Sequence, residues 1–300
     1  MSRALPLALP LLCGGCAANL ATLMGPETLA PGDVLVATEA GASLPVGVAA
    51  RAAQAGTNLA IELADYGQDG DQVPLEAISE AVAAGMGLAL SPPGTVYGVA
   101  ARVGVLDGLD VGGRLSTSDW RLDARYQLAG NADKNRQSAL MGGLLRHRFH
   151  GLVFDFFDPI QAVSTVIPGL EIDEPSRWDV ELVYLNGRAF GEHLKTYSAL
   201  SGRLGWYRVP WFLTGEDYGW PEIVSADEVR GLSPTFAATG GLAVGYAPVW
   251  LRGELNLAYS YARTEVLGVP VDFGGLTIFP ALSLEVTPKR RRSGDAPTGP

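Results

Sequence analysis

The chain has 300 residues, of which 38 are glycine and only 18% are charged, and its formal net charge is −10. The acidic balance argues against a nucleic-acid partner, because phosphate binding requires clustered lysine and arginine. The absence of a long apolar run excludes an α-helical membrane protein, whereas high glycine content with moderate hydrophobicity fits a β-barrel. We therefore expect an all-β fold, an antiparallel transmembrane β-barrel.

The N-terminus predicts export from the cytoplasm. A short positively charged start precedes the apolar residues 4–12, a stretch too short to span a bilayer as a helix, which needs about 20 residues. Residues 12–16 read Leu-Cys-Gly-Gly-Cys, which resembles the lipobox of bacterial lipoprotein precursors. The resemblance implies removal of residues 1–15 and lipidation of Cys16. An ordinary signal peptide cleaved near Ala17 or Ala18 is the alternative.

The next part of the chain mixes strand and helix patterns. Alternation predicts a strand at 33–43 and weaker strands at 46–53 and 57–64. Residues 73–90 instead place apolar residues at helical spacing behind Pro74, with acidic residues in the early turns, as a helix N-terminus favours. Such a helix plugs the lumen, covers one mouth or packs in a loop on the rim. Its apolar positions are Leu75, Ile78, Val82 and Met86.

A period of two is clearest between residues 95 and 128. Residues 95–105 and 109–115 alternate and are joined by Asp107-Gly108, a pair that accepts the positive φ of a hairpin turn. Residues 119–128 read Asp-Trp-Arg-Leu-Asp-Ala-Arg-Tyr-Gln-Leu, so one face is apolar with aromatics and the other is polar. The apolar face meets lipid in a barrel or a second sheet in a sandwich.

Two stretches of this region carry a family resemblance. Residues 99–115 read Val-Ala-Ala-Arg-Val-Gly-Val-Leu-Asp-Gly-Leu-Asp-Val-Gly-Gly-Arg-Leu, and residues 122–128 read Leu-Asp-Ala-Arg-Tyr-Gln-Leu. The region from Tyr97 to Leu128 resembles the central hairpins of bacterial outer-membrane β-barrel proteins, many of them lipoproteins without an assigned activity. The resemblance implies an architecture and an outer-membrane location in a Gram-negative-type bacterium. It implies no reaction.

The C-terminal half repeats the pattern over longer strands. Residues 249–261 alternate over more than the ~9–11 residues that a tilted spanning strand needs, and the last predicted strand covers 276–286. We expect about ten strands, within a range of eight to twelve, in a closed ring, since an open edge in lipid leaves backbone groups unpaired. The other predicted strands are 138–148, 177–190, 197–209 and 234–247, with a weaker one at 151–157.

An aromatic segment interrupts this pattern. Residues 206–212 read Trp-Tyr-Arg-Val-Pro-Trp-Phe, and Tyr218 and Trp220 follow. Aromatic girdles at the lipid interface explain the segment, and a stacking platform for a sugar or another flat ligand is the alternative.

The polar strand faces supply the candidate site residues. In an open lumen, their excess of arginine between residues 95 and 128 would favour small anionic solutes. In a barrel of eight to ten strands, whose interior is filled by side chains, the same residues would form an internal salt-bridge network. The charged residues expected to face the lumen are Arg102, Asp110, Arg114, Arg121, Asp123, Arg125, Arg252 and Glu254.

No pattern indicates catalysis, a metal site or a cofactor. The histidines show no repeated metal-ligand spacing, the cysteines lie in the signal region, and no nucleophile constellation is present. The residues concerned are His147, His150, His193, Cys13 and Cys16.

We therefore predict a lipid-anchored outer-membrane β-barrel with a structural or small-solute passage role. The predicted organisation is a lipoprotein signal peptide (1–15), an N-terminal linker (16–30), the barrel (31–288) and a disordered basic tail (289–300). Membrane lipid is the expected partner. The alternative is a periplasmic lipid-anchored β-sandwich or open sheet that binds a ligand.

Overall fold

A computed structural model of the chain describes residues 19–69, 75–130, 136–147, 170–172, 175–213 and 225–287. It contains eleven strands and two helices within those ranges. In chain order they are β1 (Val34–Ser43), α1 (Val46–Asp69), α2 (Leu75–Leu90), β2 (Gly94–Leu106), β3 (Leu109–Ser116), β4 (Asp119–Gly130), β5 (Arg136–His147), β6 (Leu170–Ile172), β7 (Ser176–Phe190), β8 (Leu194–Leu213), β9 (Ser225–Tyr246), β10 (Val249–Val266) and β11 (Val269–Val286).

Ten strands form a closed antiparallel ring. Their order is β1-β2-β3-β4-β5-β7-β8-β9-β10-β11, and β1 pairs with β11, with Val36 opposite Val286. The short β6 pairs with the end of β8 outside this ring, with Ile172 opposite Trp211. The ring confirms the predicted barrel and its strand number. It also excludes the two alternative folds. A closed ring has no open edge, as an open sheet would, and its strands form one sheet, whereas a sandwich needs two.

Burial alternates along the strands with the predicted period of two. On β4, Leu122 and Tyr126 are exposed on the outside, whereas Arg121 and Asp123 are buried inside. The cause is strand geometry, since successive side chains point to opposite faces of the ring. The outer face is therefore apolar and the inner face is mostly polar.

The two ends of the barrel differ. One end, here called the turn end, has short connections at 107–108, 191–193 and 247–248. Gly108 has a φ of 76° there, as the predicted hairpin turn requires. The other end, here called the helical end, carries α1 and α2 between β1 and β2.

Four strands extend beyond the rest of the ring at the helical end. Pairing between β9 and β10 stops at Thr235 and Ser260, but β8 and β9 remain paired to Leu213, and β10 and β11 to Val266. We call this part the extended wall. It consists of residues 206–213, 225–234, 261–266 and 269–274.

Helix α2 packs on the inner side of the extended wall. Met86 and Val82 are fully buried against Trp211 and Phe273, and the hydroxyl of Ser79 donates a hydrogen bond to the carbonyl of Val266 at 3.1 Å. The structure thus confirms the predicted helix at 73–90. Of the three predicted placements, the structure shows the one in which the helix covers one mouth of the barrel, because α2 packs on the inner face of the extended wall.

Helix α1 corrects part of the sequence prediction. The weak strands predicted at 46–53 and 57–64 are wrong, because both stretches belong to α1. Buried Val48, Ala52 and Leu59 recur at helical spacing, and alanine-rich sequence favours a helix. Gly47 allows α1 to cross β11 closely, since a Cβ there would lie 2.4 Å from the backbone nitrogen of Leu276. The weak strand predicted at 151–157 lies outside the described residues.

Residues 19–30 lie inside the barrel, and we call them the lumen segment. Asn19, Ala21 and Thr22 are almost completely buried, whereas Ala30 is exposed at the turn end. The carbonyl of Asp33 accepts the N–H of Gly104 on β2, and the chain enters the barrel wall as β1 at Val34. The predicted N-terminal linker thus runs through the lumen over residues 19–30. The predicted signal peptide and basic tail lie outside the described residues.

Candidate functional site

The eight charged residues predicted to face the lumen are all buried within the barrel. Each exposes less than a tenth of its surface, and each makes charged or polar contacts with other groups inside. They are Arg102, Asp110, Arg114, Arg121, Asp123, Arg125, Arg252 and Glu254.

The first group of contacts joins three adjacent strands. Arg102 on β2 forms ion pairs with Asp110 on β3 and Asp123 on β4. Arg125 on β4 binds the same Asp110, with its Nη2 2.6 Å from Oδ2. Two arginines and two aspartates therefore form one continuous cluster.

A second group extends this cluster around the ring. Arg121 contacts Asp123 at 3.2 Å and Glu181 on β7 at 3.1 Å. Glu181 also accepts a hydrogen bond of 2.8 Å from Nε of Arg203 on β8. Nearby, Arg114 bonds Asp119 at 3.0 Å. The network thus spans strands from β2 to β8.

Several charged partners were missed in the sequence analysis. Within one local cluster, Asp179 on β7 binds Nε of Arg177 at 2.7 Å and Nε2 of His147 at 3.0 Å. The alternation in β7 could have identified them, because Arg177, Asp179 and Glu181 fall at every second position. The missed buried charges also include Glu39, Asp119, Arg203 and Glu285. Arginine therefore has carboxylate partners, and the excess of arginine between residues 95 and 128 is balanced elsewhere on the described inner face, which buries seven arginines and eight carboxylates in all.

Glu254 differs from the other buried carboxylates, because the hydrogen bonds that it accepts from the described residues come from uncharged donors. Its Oε1 accepts the backbone N–H of Thr22 at 2.6 Å, and its Oε2 accepts that of Leu23 at 2.7 Å. The amide of Asn256 and the hydroxyl of Tyr197 donate at 2.9 and 3.1 Å. Glu254 thus holds the lumen segment by two consecutive backbone groups.

Other wall residues bind the lumen segment through its backbone as well. Arg114 donates to the carbonyl of Ala21 at 2.8 Å, Arg203 donates to that of Asn19 at 3.0 Å, and Arg125 donates to that of Gly25. Asp110 accepts the N–H of Leu29 at 3.0 Å. Charged side chains of both signs therefore satisfy main-chain groups that this irregular segment, in which Leu23 has a φ of 41°, does not pair by itself.

Little free volume remains around the lumen segment. A cavity of about 220 Å³ lies between residues 22–29 and the wall near Arg252 and Glu285, whose charged groups are 2.5 Å apart. Lys195 at its edge pairs with Glu27 and lies 4.4 Å from the ring centre of Trp250. The described part of the lumen is filled by side chains and by the segment.

The aromatic segment at 206–212 divides between the two faces. Trp206 is 47% exposed on the outside, as a girdle residue would be. Tyr207 and Trp211 point inward and are buried against α2, and the rings of Tyr207 and Phe273 have centroids 5.4 Å apart. The girdle prediction is wrong for these two residues, and burial removes them from any ligand platform. Tyr218 and Trp220 lie outside the described residues.

The described residues contain no group of three histidine, cysteine or acidic side chains that could hold a metal ion. His150 and the two cysteines lie outside the described ranges, and exposed His193 contacts the carbonyl of Gly245. No helix in the described ranges is long and apolar enough to cross a membrane.

Comparisons with known proteins give structural similarity only. No family model matches the chain, and no curated protein matches it in sequence. Similar solved structures include the outer membrane protease OmpT from Escherichia coli, which is 7% identical, with 88% of this chain and 100% of that chain covered and a TM-score of 0.40.

Two other solved structures align with lower TM-scores. Neisserial surface protein A is 11% identical, with 86% of this chain and 99% of that chain covered and a TM-score of 0.29. Ail, the attachment invasion locus protein of Yersinia pestis, is 10% identical, with coverage of 85% and 99% and a TM-score of 0.28. At these scores, the alignments support no functional assignment.

Proposed function

We propose that this chain is an integral outer-membrane protein whose closed barrel has a structural, non-catalytic role and conducts no solute. The filled lumen is the observation that supports this role. An ion-pair network and the lumen segment occupy the interior that a transport path would need. The competing proposal is passage of small solutes, because a cavity of about 220 Å³ remains beside the lumen segment.

The outer surface supports the membrane location. Large apolar side chains are exposed around the ring, among them Leu122 (59%), Phe236 (67%) and Leu282 (58%). A water-soluble protein rarely exposes a continuous apolar band, whereas a spanning barrel turns such a band toward lipid. The band supports insertion of the ring into hydrocarbon.

Aromatic side chains border this band on the same strands. Near the helical end, the rings of Trp120 and Trp178 have centroids 5.4 Å apart, and Arg146 lies 5.2 Å from the Trp178 ring. Toward the turn end, Tyr126 and Tyr184 are exposed. Tryptophan and tyrosine favour the membrane interface, so the two rows fit its two boundaries.

The connections support an orientation. Outer-membrane barrels have short periplasmic turns and longer extracellular loops. We therefore propose that the turn end faces the periplasm and that α1 and α2 lie on the extracellular side.

Conductance in planar bilayers tests the proposed role directly. We expect purified, refolded protein to give no steady channels, and its mobility on gels to change on heating, as a stable barrel requires. Stable channels at the wild-type sequence would contradict the structural role and support solute passage. Extraction from membranes without detergent would contradict the membrane location.

Lipid anchoring at Cys16 is a separate part of the proposal. Its support is the resemblance of residues 12–16 to a lipobox, and it requires the chain to pass from the lipid to the lumen within the two residues that separate Cys16 from buried Asn19. We expect Cys16→Ser to abolish acyl labelling, because the thioether to diacylglycerol needs the thiol, while Cys13→Ser keeps it. Unchanged labelling of the Cys16 variant would favour an ordinary signal peptide.

A further inference from the structure

We propose that the barrel lumen is a binding site for a non-helical peptide that bends at the position of Leu23 and is recognised through its main chain, and that the lumen segment is its resident ligand. The proposal rests on the filled lumen described above, but it concerns what the lumen can bind. The ligand class is a largely uncharged peptide of about the length of residues 19–30 that can adopt the same bend, in which Leu23 has a φ of 41°.

The wall contacts main-chain groups of both kinds. Three arginines, Arg203, Arg114 and Arg125, donate to backbone carbonyls of the segment. Two carboxylates, Glu254 and Asp110, accept three of its backbone N–H groups. These bonds need no particular side chain on the segment. Charge-assisted hydrogen bonds of this kind are stronger than neutral ones, so they can hold a peptide firmly.

The wall also has the shape of the segment. A Cβ on Gly104 would lie 2.1 Å from the carbonyl oxygen of Ala30, and a Cβ on Gly187 would lie 2.8 Å from the ring of Pro26. Both glycines therefore leave room that the peptide occupies. The site is built for close backbone approach.

Apolar contacts give the site a limited side-chain preference. Leu20 and Leu23 pack with Val96 and Phe279 from the wall in one buried cluster. Met24 packs on a second apolar cluster and its sulfur lies 3.2 Å from Nη2 of Arg102. We therefore expect peptides with apolar residues at these positions to bind best, with tolerance at the others.

A full-length variant with an emptied site provides the main test. Thr22→Pro with Leu23→Pro removes both N–H groups that Glu254 accepts, so the resident segment loses its central attachment. The matched control, Thr22→Ser with Leu23→Met, keeps both N–H groups and a large apolar side chain at position 23. The probe is a synthetic peptide of residues 19–30 with a fluorophore after exposed Ala30, and anisotropy in detergent measures its Kd.

We expect the proline variant to bind this peptide at least tenfold more tightly than the wild type or the matched control, whose sites are occupied. A peptide carrying the same two prolines should bind at least tenfold more weakly than the unmodified peptide. Glu254→Gln in the proline variant should also weaken binding, whereas exposed Glu192→Gln should not. Absence of binding to the folded proline variant, or equal binding of both peptides, would overturn the proposal.

A second measurement covers the case in which the proline variant does not fold. A protease site inserted between Ala30 and Pro31, both exposed, is cut after the protein has folded. We expect the released fragment to remain bound during gel filtration in detergent and to exchange with excess synthetic peptide. A fragment that leaves without added peptide, or that never exchanges, would contradict the proposal. Peptide binding is measured independently of conductance. Channels formed by the wild-type protein would therefore contradict the proposed structural role but not the proposed peptide site.

Discussion

Strands β8 to β11 pass from the barrel into the extended wall, and their inner face changes chemistry on the way. Within the barrel it carries Arg203, Glu254 and Glu285, whereas in the extended wall it carries Trp211 and Phe273. The partner explains the difference. The irregular lumen segment presents unpaired N–H and C=O groups and needs polar partners, but a helix has paired its own backbone and offers only side chains.

The comparison predicts that a substitution in the barrel and a substitution in the extended wall lower the free energy of unfolding for different reasons. In the barrel, charges depend on their partners, so removing one leaves another charge buried. In the extended wall, contacts are apolar, so truncation leaves a cavity. Substitutions in the two regions should therefore destabilise the protein by different mechanisms and in different parts of the chain.

The largest effect is expected for Glu181→Gln. This change leaves Arg121 and Arg203 without their shared carboxylate, and breaking a buried ion pair costs about 3–5 kcal/mol of unfolding free energy. Denaturant unfolding in detergent micelles measures it. Exposed Glu192→Gln is the matched control and should leave the midpoint unchanged. Equal midpoints for both variants would show that the network contributes nothing to stability.

The second effect belongs to the extended wall. Met86→Ala removes a fully buried side chain between α2 and the wall and should cost about 2–5 kcal/mol. Hydrogen exchange should increase in α2 and at 261–274, while β2 to β5 stay protected. Ile61→Ala, on the exposed side of α1, should change little. Loss of protection throughout the barrel would mean that the two regions unfold as one unit.

The third effect concerns the outer face, which both regions share. Leu122 lies between the two aromatic rows, so Leu122→Arg should cost about 2–4 kcal/mol if this band meets hydrocarbon. Leu106→Arg, beside the turn at the strand end, should cost about 0–1 kcal/mol. Refolding into lipid vesicles with denaturant titration compares them. Equal costs would argue against a membrane around Leu122.

The smallest effect is expected at an exposed ion-pair group on the extended wall. Glu228 pairs with Arg208 and Arg230, both largely exposed to solvent. Water and salt screen such pairs, so Glu228→Gln should leave the unfolding midpoint unchanged at low and high salt. A clear loss of stability would mean that this surface is covered in the folded protein.

Strand alternation made most of the barrel predictable. It identified the ring strands and the eight charged residues of the site, because a period of two depends on local sequence alone. It failed at 46–64, where Val46 and Val48 alternate briefly and the longer helical spacing of Ala52, Ala55 and Leu59 was overlooked. The helix was therefore recoverable from the sequence.

The position of the lumen segment was not recoverable in this way. Its attachments are backbone groups bound by Arg114, Arg203 and Glu254, which lie far away in the sequence. Main-chain recognition leaves no periodic signature in the residues that are recognised. The acids on β7 are an intermediate case, since Asp179 and Glu181 followed the alternation but their partners depended on strand order.

The position of the lumen segment also constrains how the chain folds. The segment leads directly into β1, and the seam between β1 and β11 contains six residue pairs, against eighteen between β10 and β11. This seam joins the first and last strands, and pairing over such a separation is slow because a long loop must close. A ring that closed first would have to be threaded afterwards. We therefore expect the segment to nucleate the curved sheet and ring closure to come last.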